Sequence, residues 1–66
     1  MEKTLTFVNS HKIADLKVDT YKDVDGNNVV FVYDECNRLR LKVYENFYNT
    51  IYKYENGRII EDTQLI

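Results

Sequence analysis

The chain has 66 residues, of which 30% are charged and 44% hydrophobic, and its net charge is −2. That is globular rather than disordered composition, enough for one β domain over residues 1–66, and the acidic balance disfavours nucleic acid as the main partner. A single cysteine, Cys36, excludes an internal disulfide, and His11 with Cys36 cannot build a structural zinc site, so no metal or other cofactor is expected.

Leu5 and Phe7 alternate with Thr4, Thr6 and Val8, which predicts a first strand. Ser10 offers an N-cap for a short helix through Ile13 and Leu16, the alternative for the stretch that follows. Leu16, Val18 and Thr20 then alternate with Lys17, Asp19 and Tyr21, a second strand. Asp25-Gly26-Asn27-Asn28 is a turn, and Val29 to Tyr33 is apolar on both sides, as a central strand covered on both faces would be.

After a turn at Asp34-Glu35-Cys36-Asn37 comes the clearest pattern in the chain, Arg38-Leu39-Arg40-Leu41-Lys42-Val43-Tyr44. Period-2 alternation assigns Leu39, Leu41 and Val43 to an inner face and Arg38, Arg40, Lys42 and Tyr44 to a wet one. Tyr44, Phe47, Tyr48, Ile51 and Tyr52 also fit a helical spacing, with Asn56-Gly57 as a C-cap. Tyr, Asn, Thr and Phe are mediocre helix formers, so strand–turn–strand is the preferred reading of residues 44–55. Asn56-Gly57 between Thr50–Tyr54 and Arg58–Ile60 is a strong hairpin signal, because both residues accept positive φ. The expected fold is mainly β, an antiparallel meander of five to six strands forming a curled sheet or a small barrel. The alternative is α+β with one short helix.

Tyr33-Asp34-Glu35-Cys36-Asn37-Arg38-Leu39 echoes Tyr54-Glu55-Asn56-Gly57-Arg58-Ile59. Both segments resemble the Tyr-Asp…Gly-Arg-Leu hairpins of bacterial YD-repeat proteins. The resemblance covers these two turns, the first without its glycine; those proteins are long repeat shells, so shared turn chemistry rather than family membership is the reading taken.

Catalytic signatures are missing from the pattern. Ser10 and His11 are neighbours, which face opposite ways on an extended chain, and His11 is expected as an exposed turn residue. Cys36 sits in a turn beside Glu35, which does not favour a thiolate. The carboxylate pairs Asp23 with Asp25, Asp34 with Glu35 and Glu61 with Asp62 have little room for a cleft that would separate their pKa values. Asp23-x-Asp25-x-Asn27 imitates the start of a calcium loop, but Gly26 falls at the fourth position, so a plain turn is expected. The chain is not expected to be an enzyme.

Surfaces remain. Asp15, Lys17, Asp19, Tyr21, Asp23 and Asp25 share one parity and make a mainly acidic stripe. Arg38, Arg40, Lys42 and Tyr44 make a basic one, and pairing between the two stripes is the plain structural reading. Six tyrosines in 66 residues, with arginines nearby, is the composition of binding hot spots. The expected contact residues are therefore Arg38, Arg40, Lys42, Tyr44, Tyr52 and Tyr54. The expected function is a small non-catalytic protein-binding module. Frequent Asn, Lys, Tyr and Ile with no Pro or Trp suggest an AT-rich mobile-element or phage-type source, hence an inhibitor or adaptor of a host protein. Alternatives are a structural homo-oligomer or subunit, and a single-stranded nucleic-acid-binding module in which aromatic rings stack bases. A core this small supplies only ~3–5 kcal/mol, which makes a homodimer a reasonable expectation. No stretch reads as an export signal or a membrane span, and the lone cysteine suits a reducing cytoplasm.

Overall fold

Each connection in the chain bends through a residue with positive φ: Ala14 (54°), Gly26 (84°), Asn37 (61°), Asn46 (70°), then the pair Asn56 (50°) and Gly57 (76°). Between them the computed structural model, which describes residues 4–66, places six strands: β1 Thr6–Ile13, β2 Leu16–Lys22, β3 Asn28–Tyr33, β4 Leu39–Tyr44, β5 Tyr48–Glu55 and β6 Arg58–Leu65. All pairings are antiparallel, and spatial order equals sequence order. Among the described residues there is no helix, so the alternatives at Ser10–Leu16 and at 44–55 are not realised. Ser10 and His11 lie inside β1; His11 is exposed, on a strand rather than in a turn.

Two of the turns are one device used twice. Asp23 donates its N–H to the Asn27 carbonyl and accepts Gly26 N–H on its own carbonyl, while Oδ1 takes the N–H groups of Asp25 and Asn27 at 2.9 Å each. Asp34 does the same with Arg38, Asn37, Cys36 and Arg38 again, at matching positions. The residue at the fourth place carries positive φ in both, which suits Gly26 and is tolerated by Asn37. Asp34 thus repeats Asp23 eleven residues on, not the Asn56-Gly57 turn. That last turn is a two-residue link, Glu55 facing Arg58 across it with both central residues at positive φ.

The register sorts the side chains cleanly. Tyr21, Val29, Tyr44, Tyr48 and Leu65 stand opposite one another across β2 to β6, and Asp19, Phe31, Lys42, Thr50 and Thr63 form the next row on the same side. Every tyrosine falls on this side. The other side carries Val18, Val32, Leu41 and Ile51 in one row, and Thr20, Val30, Val43 and Asn49 in the next.

The residues most withdrawn from solvent are Val29 (0%), Thr50 (4%), Asp23 (6%), Asp19 (7%) and Tyr44 (8%). Four belong to the tyrosine side; Asp23, at the end of β2, receives the Tyr44 hydroxyl at 2.5 Å. The expectation that Leu39, Leu41 and Val43 form a covered inner face is therefore corrected. They are only half-buried. Among the described residues no second layer packs on them, because each strand contacts only its sequence neighbours and the sheet has one layer. In one layer, the side with longer side chains covers itself. Tyrosine rings and the stems of Arg and Lys lie along the sheet, while Val and Leu are too short to do so. For the same reason β3 is central but covered on one face only.

The sheet does not close, so the small-barrel outcome is not realised: β1 and β6 are separate edges. Closure needs strong coiling from bulges or glycine kinks within strands. Here the pairings show two irregularities, at Phe7/Asn9 and at Val32/Tyr33, and both glycines lie in turns.

Candidate protein-contact face

Across the tyrosine side runs a continuous row of rings. Phe7 meets Tyr21 edge-on at 5.5 Å, and Tyr21 meets Phe31 in the same way at 5.5 Å. Lys42 then bridges from Phe31 (5.7 Å) to Tyr48 (5.3 Å), which is tilted against Tyr44 at 5.7 Å. Tyr44 is also edge-on to Phe47 at 4.9 Å. Contacts of this kind hold rings in place and add ~0.5–1.5 kcal/mol per pair beyond area burial.

A second cluster lies toward the other end of the strands. The guanidinium carbons of Arg38 and Arg40 sit 5.0 and 5.7 Å from the centre of the Tyr54 ring. Tyr54 is anchored by its hydroxyl, which donates to the Leu39 carbonyl at 2.6 Å. Asp34 Oδ2 gathers both arginines, Arg38 Nε at 3.0 Å and Arg40 Nη1 at 3.6 Å. Hydrogen bonding from the Arg38 backbone, aided by its side chain and charge, holds the Asp34 carboxyl below the usual range despite some burial. Both arginines remain about half exposed (47% and 43%). Lys17 sits 5.3 Å from the Tyr33 ring centre and 3.6 Å from Asp19, which also accepts the Ser10 hydroxyl at 2.5 Å.

Of the residues the sequence singles out, Arg38, Arg40 and Tyr54 come together, and Lys42 lies on the same side against Phe31 and Tyr48. Tyr52 shares that side and is half-buried. Burial raises its phenol pKa, as does the Glu61 charge, while Lys42 opposes the rise. Tyr33 is raised in the same way by burial and then by Asp19, so both phenols stay protonated donors at neutral pH. Tyr44 is different: buried, with its hydroxyl given to Asp23, it supports the face from beneath. The Asp23 carboxyl is held far below its ordinary range, first by that hydroxyl and then by the Asn27 and Asp25 donors, with burial opposing.

Sequence reading missed Phe31, Tyr33 and Tyr48 as members of this face. Their signal was parity with Lys17 and Lys42, visible only once the register is known. The acidic stripe on β2 and the basic one on β4 are not paired with each other, since β3 lies between them. Each finds its counter-charge locally, Lys17 with Asp19 and the arginines with Asp34. Ser10 bonds Asp19 on the tyrosine side, whereas His11 stands opposite Val18 on the other. Cys36 is exposed in its turn. Among the described residues no cluster of His, Cys, Asp and Glu could hold a metal, and no helix is long and apolar enough to cross a membrane.

No protein-family model matches this chain, and no curated protein or solved structure matches it either.

Proposed function

We propose that this chain is a non-catalytic protein-binding module that engages its partner through the tyrosine–cation face, with Arg38, Arg40, Lys42, Tyr52 and Tyr54 in contact. The observation that carries this reading is the preset arrangement of Arg38 and Arg40 on the Tyr54 ring. Both are half exposed and oriented by Asp34. Pre-ordered arginine and tyrosine lose little conformational freedom on binding, which is why these residue types dominate hot spots. The partner's matching surface presents carboxylates to the arginines and planar or apolar groups to the rings. Such a module acts by occupying that surface, as an inhibitor or adaptor does.

Against a nucleic-acid ligand stand the net charge of −2 and the neutralisation of Arg38 and Arg40 by Asp34, which leaves less cation for phosphate. The test is affinity capture from the native host's lysate with immobilised chain, wild type beside Arg40→Glu/Lys42→Glu. A protein retained at near-stoichiometric yield by wild type, and at least tenfold less by the variant, is expected. Equal retention by both, or no retained protein at low and moderate salt, refutes the proposal.

A further inference from the structure

The side opposite the tyrosines has an aliphatic centre that no described residue covers, with charges at its margins: Lys22 on β2, Lys53 and Glu55 on β5, Arg58 and Asp62 on β6. Val18, Val32, Leu41 and Ile51 cross four strands in register, and Val30 and Val43 stand beside them, none bearing a charge. Ile51 and Ile60 on that side are each 44% exposed. The chain exposes 5088 Å², whereas a folded monomer of 7.9 kDa exposes about 4,400 Å². The excess, roughly 700 Å², is close to the ~800 Å² that each partner buries in a standard interface. The Cα radius of gyration, 12.5 Å, likewise exceeds the ~10.8 Å of a compact chain of this length.

We infer that a second copy of this chain covers the aliphatic face, two sheets packing face to face about a two-fold axis to make a sandwich. The occupant follows from chemistry. The central strip has no charge, so its cover is apolar. An identical aliphatic strip meets it without like-charge conflict at its centre, at the ~10 Å spacing of stacked sheets. The other side carries Arg40 and Lys42 on its central strand β4, where packing two copies would bring like charges together, whereas the cations of the aliphatic side, Lys22, Lys53 and Arg58, lie outside its central strip. The dimer leaves both tyrosine faces outward.

Sedimentation velocity of the full chain across a wide concentration range tests this, with Ile51→Lys and, as control, Ile59→Lys. Ile59 is 63% exposed and lies on the tyrosine side of β6. A species of two chains is expected, with Ile51→Lys raising its dissociation constant at least tenfold and Ile59→Lys leaving it within twofold. Far-UV circular dichroism checks that both variants are folded; if Ile51→Lys is not, Ile51→Thr keeps strand propensity and is expected to weaken the dimer severalfold. A monomer at all concentrations overturns the inference. So does an open series of larger masses, which edge pairing of β1 with β6 produces, or a dimer weakened by Ile59→Lys and not by Ile51→Lys. None of these outcomes bears on partner capture by the tyrosine face.

Discussion

Val29→Ala tests whether the sheet is covered from its tyrosine side. Val29 is fully buried, with Tyr21 opposite on β2 and Tyr44 opposite on β4. The change removes two methyl groups, at ~0.8 kcal/mol each. The void adds to this, because flanking strands relax only in part, for a total of about 2.5 kcal/mol. Against the ~3–5 kcal/mol that a core of this size supplies, that is half or more of the stability. Urea unfolding followed by tyrosine fluorescence reads it directly: with m near ~1 kcal/mol/M, the midpoint falls by about 2.5 M. The matched variant is Val32→Ala, chemically identical and three residues away, half-buried on the aliphatic side. In protein dilute enough to be monomeric it is expected to cost about 1 kcal/mol. An equal or larger loss at Val32 would mean that the covered side has been wrongly assigned.

Tyr44→Phe keeps the ring beside Phe47 and Tyr48 but removes the hydroxyl donated to Asp23. Because the folded Asp23 carboxyl lies below its unfolded value of about 3.9, its stabilisation is complete above that pH and fades as pH falls through and below it. The variant should therefore be less stable at pH 7, with the gap to wild type narrowing on acidification below about pH 4; a gap independent of pH refutes the pairing. Ala14→Gly relieves a non-glycine residue at φ 54° and is expected to stabilise by about 1 kcal/mol in the same urea assay. Tyr54→Phe removes the bond to the Leu39 carbonyl, costs about 1 kcal/mol, and lowers partner capture by freeing the ring beneath the arginines. Cys36, exposed in its turn, should be alkylated to completion in the native protein with an unchanged circular dichroism spectrum.

The strands and their connections were legible because they depend on local chemistry. Alternation from Arg38 to Tyr44 has a period that only an extended chain presents as two faces, and Asn56-Gly57 accepts the dihedrals of a tight hairpin. Over residues 44–55, the poor helix propensity of Tyr, Asn and Thr outweighed a helical spacing, and β5 follows the turn at Asn46. The carboxylate-led turn at Asp23 was read as a turn, but its repetition at Asp34 was not. The equivalence lies in backbone donors and positive φ, and Gly26 and Asn37 look unlike as letters.

Which side of the sheet is covered was beyond the sequence. Alternation distinguishes two faces without saying which is buried, and the usual inference assumes a second layer behind the apolar one. Six strands in sequence order supply no such layer. The long side chains of Tyr21, Tyr44, Lys42 and Arg38 then shield their own side, and Val30, Val32 and Leu41 stay half open. By itself the sequence determined the strands, their turns and their two-sidedness, all set within a few residues. The antiparallel meander, too, was legible from the short polar connections; only the tertiary structure decided which side is covered, the failure to close and the placement of arginines on Tyr54, because these depend on register between segments distant along the chain.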